Sequence, residues 1–218
     1  MQVKICGITN DEDLKNCENH KTAFIGFINV ERSKRFLDID EINELKNKMK
    51  NPEKAVLVLE PVNADEVINK SLKTGIKNVQ LHSLRDNEIR KIKDINVIRA
   101  IGIPENMNKE KIKEIENFAG VCDYLLFDSM VSGKSGGTGK QIPLPNAEKS
   151  AEIARTANPD IKLILAGGMN KERINNERKK IIEIFNYIDV NSGVEDSPGI
   201  KNEYKINEFM ESCSRVKS

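Results

Sequence analysis

Two side chains of this 218-residue chain stand where acid–base chemistry is a natural use of them. Cys6 ends a short strand-like run, and Gly7 turns the chain toward the polar Thr9-Asn10-Asp11. Asp128 closes the apolar run Tyr124-Leu125-Leu126-Phe127, and Gly136-Gly137-Thr138-Gly139-Lys140 follows it. A thiol and a carboxylate at two strand ends, with glycine loops nearby, suit proton transfer on a small phosphorylated molecule. Strand alternation puts Gln2, Lys4 and Cys6 on one face, and Tyr124, Leu126 and Asp128 on another. If both faces look into one pocket, Lys4 lies a layer beneath the thiol and depresses its pKa. Apolar neighbours and the thiolate then raise that of Asp128. The expectation is a thiolate base beside a neutral carboxylic acid. The plain alternative for Cys6 is an inert buried thiol, and Cys17, Cys122 and Cys213 are read that way.

The elements that must position these groups follow from the apolar pattern. Strand-like runs occur at 3–6, 23–29, 55–59, 78–82, 96–101, 124–128, 162–166 and 187–191. Amphipathic stretches alternate with them. Ile42, Leu45 and Met49 mark one core face, Val67, Ile68 and Leu72 a second, and Ile112, Ile115 and Phe118 a third. Further helices are expected at 147–157, 171–182 and 206–216, and 83–93 offers Leu84, Ile89 and Ile92. Strict strand–helix alternation implies a parallel sheet. Eight such units close most economically into a (β/α)8 TIM barrel, a single domain over residues 1–218. The chain is shorter than a usual barrel of ~250 residues, so some helices must be short or irregular. The least regular links are 102–107 and the region after Asn191. An open doubly wound sheet is the alternative fold.

In such a barrel the chemistry sits at the C-terminal ends of the strands. Those ends read Cys6, Asn29, Leu59, His82, Ile101, Asp128, Ala166 and Asn191. A phosphate site commonly follows strands 7 and 8. Here these run into Gly167-Gly168 and Ser192-Gly193. Each pair alone could be no more than a turn. Both together, after consecutive strands, read as backbone amides gathered around an anion, with a short helix near Ser192 adding its positive end. The segment 136–140 fails as a Walker A loop, because Lys134 and Gln141 stand where that pattern needs Gly and Ser or Thr. A mobile lid hinged on its glycines fits better.

Composition narrows the partners. Lys and Arg (35) nearly cancel Asp and Glu (34), so a net charge of +1 gives no long-range pull toward nucleic acid or an anionic membrane. There is no 18-residue apolar run for a membrane span, and no cationic-then-apolar start for a secretory signal, so a cytoplasmic location is expected. The four cysteines are scattered without a Cys-x-x-Cys pair and only two histidines exist, so neither a metal site nor disulfides are expected.

The segments Lys4-Ile5-Cys6-Gly7-Ile8-Thr9, Ser33-Lys34-Arg35, Val79-Gln80-Leu81-His82, Leu126-Phe127-Asp128-Ser129, Gly136-Gly137-Thr138-Gly139-Lys140, Ala166-Gly167-Gly168-Met169-Asn170 and Asp189-Val190-Asn191-Ser192-Gly193-Val194-Glu195 resemble, in order, those of the phosphoribosylanthranilate isomerases. The resemblance spans nearly the whole chain. It implies a cofactor-free, metal-free Amadori rearrangement in tryptophan biosynthesis, with a phosphorylated small molecule as substrate. It implies that Asp128 is the general acid that opens the furanose ring and Cys6 the general base that removes the C2 proton. Arg35 would hold the anthranilate carboxylate, for which a planar guanidinium is suited. Gly137, Thr138, Gly167, Gly168, Ser192 and Gly193 would bind phosphate. His82 and Asp189 would line the site near the sugar. His82 has an equal claim as a rim residue, and Asp189 could instead pair with Lys4. The chain departs from the family at Leu59-Glu60-Pro61, where a Phe-Val-Asn ending is commoner. A related isomerase of histidine biosynthesis is the nearest alternative, but that chemistry typically pairs two aspartates. A catalytically silent phosphate-binding barrel is the other. Monomer and homodimer are both open.

Overall fold

The structure, a computed structural model, describes residues 1–131, 134–135 and 141–214. Eight parallel strands close into a barrel: β1 (Gln2–Cys6), β2 (Phe24–Asn29), β3 (Ala55–Leu59), β4 (Asn78–Leu81), β5 (Asn96–Ile103), β6 (Tyr124–Val131), β7 (Lys162–Leu165) and β8 (Tyr187–Val190). Neighbours in sequence are neighbours in space. Pairing of β1 with β8 and of β5 with β6 completes the ring, which excludes the open sheet. Strands such as Ala55-Val56-Leu57-Val58-Leu59 are apolar throughout because both faces are covered, one by the barrel interior and one by helices.

The helices are α1 (Asp11–Asn19), α2 (Ile39–Asn47), α3 (Ala64–Thr74), α4 (Asp86–Ile89), α5 (Lys109–Ala119), α6 (Leu144–Ala157), α7 (Lys171–Ile184) and α8 (Glu203–Ser214). Side-chain caps start most of them. Asn10, Asn63, Asn108 and Asn170 each accept the amide three residues on, and Asp38 forms a capping box with Glu41. The many asparagines are thus partly helix starts placed just beyond strand ends.

Two apolar layers result. Ile5, Phe27, Leu57, Val79, Leu125 and Ile188 are among those packing outward against the helices. Inside the barrel, Val56, Val58, Ile98, Leu126 and Ile164 fill the middle. Phe24, Tyr124 and Tyr187, each the first residue of its strand, plug the N-terminal end with ring centroids 5.4–5.8 Å apart. Lys4, Gln80 and Asp128 are buried polar groups nearer the other end.

Some expectations shift. Residues 83–93 hold one helical turn, α4, although Ile89 and Ile92 are buried as expected. Leu72 is 68% exposed; α3 instead buries Ala64, Val67, Ser71 and Thr74, a face that ends at Gly75 in a left-handed turn (φ 66°). β5 continues to Ile103 and absorbs part of the link expected to be irregular. After β8 comes only a 3-10 turn, Ser192–Val194, then the antiparallel pair Glu195–Ser197 and Ile200–Lys201. The helix expected near Ser192 is therefore a single turn, and α8 starts at Glu203. The expected lid, with Gly137 and Thr138, and the last residues of the expected helix 206–216 lie outside the described residues.

Candidate active site

The C-terminal strand ends open onto one pocket of about 340 Å3. Cys6, Arg35, His82, Asp128, Asp189, Gly167, Gly168, Ser192 and Gly193 all line it. The parallel register puts the ends of all eight strands on one rim, and so brings together residues up to 187 positions apart in sequence.

Cys6 comes off β1 opposite Gly26 of β2. A Cβ at Gly26 would fall 2.7 Å from the Cys6 sulfur, so the missing side chain makes the thiol's space. The next peptide is pinned by Gly7 N–H donating to Gly26 O at 2.9 Å. Burial raises the Cys6 thiol above its ordinary 9.0, and Lys4 only partly offsets this. The expected resting thiolate is thus overturned: the cost of burying the anion outweighs the nearby ammonium. Asp189, on the adjacent strand β8, adds a smaller upward push. Lys4, fully buried, donates to Asp189 Oδ1 at 2.9 Å, so the open alternative for Asp189 is the one the structure adopts. Burial works to lower the Lys4 pKa, but Asp189 and then Cys6 outweigh it and hold it raised.

Asp128 is 9% exposed and accepts the Ser129 amide at 2.7 Å. Burial pushes its carboxyl up to about 6, Ser129 pulls against that, and Asp189 adds a smaller upward push. The raised carboxyl expected from its apolar neighbours is present.

Arg35 reaches the pocket already engaged. Its Nε donates to Glu195 Oε1 at 2.8 Å and its Nη2 to Oε2 at 2.5 Å. Glu195 also accepts from Lys201 Nζ at 2.8 Å and from the Gly199 amide at 3.3 Å. Lys201 further donates to Asn191 Oδ1 at 2.8 Å. Burial pushes Glu195 up, yet Arg35 and Lys201 outweigh it and hold the carboxyl below its ordinary value. With one edge of the guanidinium occupied, three of its five N–H bonds have no partner among the described residues and can take another anion. Gly7 (φ 75°) is the clearance for this arrangement. A Cβ there would meet Arg35 Cδ at 2.6 Å and Asn191 Oδ1 at 2.8 Å.

The two glycine turns face each other. A Cβ on Gly193 would fall 2.0 Å from Met169 O, so only glycine permits this approach. Among the described residues, the amides of Gly167, Gly168, Ser192 and Gly193 donate to no backbone acceptor in the turns. Arg173, 3% exposed, braces the first turn by donating to Gly167 O (3.0 Å) and Ile142 O (2.7 Å).

On the opposite rim Arg32 and Glu60 form a two-bond ion pair at 2.8 and 3.0 Å, and both line the pocket. The departure at Glu60 is thus matched by Arg32. Sequence reasoning had not assigned Glu195, Lys201 and Gln80 to the site. The signal for Gln80 was there: it shares the inward face of its strand with His82. Pairing of Glu195 with Arg35 and Lys201 had no local signal. Among the described residues no cluster of three His, Cys, Asp or Glu side chains could hold a metal ion, and no helix is long and apolar enough to cross a membrane.

The family model of N-(5'-phosphoribosyl)anthranilate (PRA) isomerase matches residues 3–212. The N-(5'-phosphoribosyl)anthranilate isomerase of Methanothermobacter thermautotrophicus is 34% identical, over 98% of this chain and 89% of that protein. The crystal structure of phosphoribosyl anthranilate isomerase from Thermotoga maritima superposes with a TM-score of 0.79 at 26% identity, covering 98% of each chain. A crystal structure of phosphoribosyl anthranilate isomerase in complex with reduced 1-(o-carboxyphenylamino)-1-deoxyribulose 5-phosphate gives 0.76 at 25% identity over 98% of each chain. A family match across nearly the whole barrel, on a pocket that holds the thiol, the carboxyl and the guanidinium together, leads to one conclusion: the chain belongs to the N-(5'-phosphoribosyl)anthranilate isomerase family.

Proposed function

We infer that this chain is the isomerase that converts N-(5-phosphoribosyl)anthranilate to 1-(2-carboxyphenylamino)-1-deoxyribulose 5-phosphate in tryptophan biosynthesis. The observation that carries the reading is that Cys6 and Asp128 line the same pocket as Arg35 and the two facing glycine turns. The substrate has a carboxylate at one end and a phosphate at the other. The remaining N–H bonds of Arg35 suit the first, and the amides of Gly167, Gly168, Ser192 and Gly193 suit the second.

Between these anchors, the Asp128 carboxylic acid gives its proton to the furanose ring oxygen. The C1–O bond breaks as the anilino nitrogen lone pair moves in, leaving an iminium. The Cys6 thiolate takes the C2 proton, and those electrons neutralise the iminium as an enolamine. Tautomerisation of the enolamine places a proton on C1 and a ketone on C2, so the net change is an isomerisation. Burial raises the Cys6 thiol above its ordinary 9.0 and Asp128 to about 6, so of these two groups sulfur is the one that holds its proton at neutral pH. The reactive arrangement has the same proton count, with the proton on the carboxyl and the sulfur as thiolate. Lys4, beneath the thiol, lowers the cost of the thiolate when it forms.

The test is the intrinsic fluorescence of phosphoribosylanthranilate generated in situ. Pure protein is expected to speed its decay, and a rate equal to that in buffer would remove the assignment. A cysteine at the first strand end weighs against the histidine-pathway isomerase, and a silent barrel has no use for Cys6, Asp128 and Arg35 together. We read residues 1–218 as one domain, acting as a monomer or a homodimer.

A further inference from the structure

Gln80 on β4 and His82, the residue just past its end, both line the pocket. Gln80 is 3% exposed, and its amide Nε2 lies 2.9 Å from His82 Nε2. Its other amide atom, Oε1, is buried with no hydrogen-bond partner among the described residues. The register neighbours of Gln80 are Val58 and Ile98, whose aliphatic side chains offer none. Reversing the amide would let Oε1 accept from a proton on His82 Nε2, but it would strand two buried N–H bonds where one N–H and one carbonyl oxygen are unpaired now. Orphaned carbonyls are the better tolerated of the two. The favoured arrangement therefore has Gln80 donating, His82 Nε2 accepting, and the imidazole proton on Nδ1.

We propose that Gln80 is a positioning residue that holds His82 as a neutral imidazole protonated at Nδ1, so that this N–H donates to an oxygen of the bound sugar. The charges around the ring agree. Burial, then Arg99 and Lys4, with a smaller push from Arg32, oppose an imidazolium, and only Glu60 favours one. The result is a pKa lowered to about 4. A neutral donor can polarise a C2 hydroxyl or the ketone that replaces it without competing with Asp128 for the acid role. Fixing a histidine tautomer through the other ring nitrogen is a common task for a supporting side chain. The choice of a sugar oxygen as acceptor rests on the isomerase reading; the tautomer does not.

The chain has only two histidines, so His20→Gln leaves a single imidazole to observe. Nitrogen-15 spectra of that variant are expected to show Nδ1 protonated, Nε2 unprotonated, and no titration of the ring between pH 5.5 and 8. A proton on Nε2, or a midpoint inside that range, overturns the proposal whether or not the protein is an isomerase. In the same background Gln80→Glu, whose ionised carboxyl can only accept, is expected to move the proton to Nε2 and to cut kcat/KM by ~10-fold or more. Gln80→Asn is expected not to restore the wild-type spectrum, because its shorter amide cannot reach the ring nitrogen. An unchanged ring spectrum in Gln80→Glu would likewise overturn the proposal. A shifted tautomer with unchanged kcat/KM would overturn the sugar contact.

Discussion

Lys4 and Asp189 meet inside the barrel at 2.9 Å, level with each other in the register of β1 and β8. The ammonium is therefore shared: it neutralises Asp189 and still lies close enough to Cys6 to lower the cost of a thiolate.

Removing that ammonium separates its two roles. Lys4→Met is expected to move the alkaline limb of the kcat/KM profile upward, since Lys4 is the largest influence that lowers the Cys6 pKa. It also leaves Asp189 unpaired in a buried site, which costs about 3 kcal/mol. Urea unfolding measures the second effect and a pH–rate series the first; an alkaline limb that stays in place would take Lys4 out of the chemistry.

Asp128 sets the acid limb. Activity is expected to rise as pH increases through about 6, where the pair loses its second proton, and to stay level until Cys6 titrates above 9.0. Asp128→Asn and Cys6→Ala are each expected to lower turnover by at least ~100-fold. Steady-state rates near wild type for either would remove that residue from the mechanism.

The same carboxyl is a stability cost. Its folded pKa is raised from 3.8 to about 6, so ionisation opposes folding as pH climbs through that interval. The penalty is absent below 3.8, complete above 6, and about 3 kcal/mol at most. Asp128→Asn should therefore unfold at higher urea than wild type at pH 8, and the gain should vanish near pH 4. Equal midpoints at pH 8 would contradict the raised pKa.

Gly26→Ala tests the space made for the thiol. The new methyl would fall 2.7 Å from the Cys6 sulfur and 3.2 Å from its Cα, so the catalytic strand end must move. A drop in kcat of ~100-fold is the expected scale for a displacement of about 1 Å. Retained kcat with a well-folded circular dichroism spectrum would show that the sulfur tolerates displacement.

Glu195→Gln tests the support of Arg35. The neutral amide leaves Arg35 and the fully buried Lys201 without their shared counter-charge, and about 3 kcal/mol of stability should be lost. KM is expected to rise more than kcat falls, because the change acts on the group proposed to hold the substrate carboxylate. Unaltered KM would argue that Arg35 is oriented without Glu195.

The order of elements was legible in the sequence because it depends on local patterns. Apolar runs and alternating faces lie within a few residues of one another, and each strand begins within one residue of its expected start. The inward face shared by Lys4 and Cys6, and the raised Asp128, follow from the two-residue period of a strand with no knowledge of its neighbours. The protonation of Cys6, the engagement of Arg35 by Glu195 and the pairing of Gln80 with His82 were decided only by the folded chain. Closure of the barrel sets the register between β1 and β8, and that register hands Lys4 to Asp189. Coulomb energy and desolvation depend on distances through space, and such distances across 160 or 185 residues leave no trace in spacing along the chain.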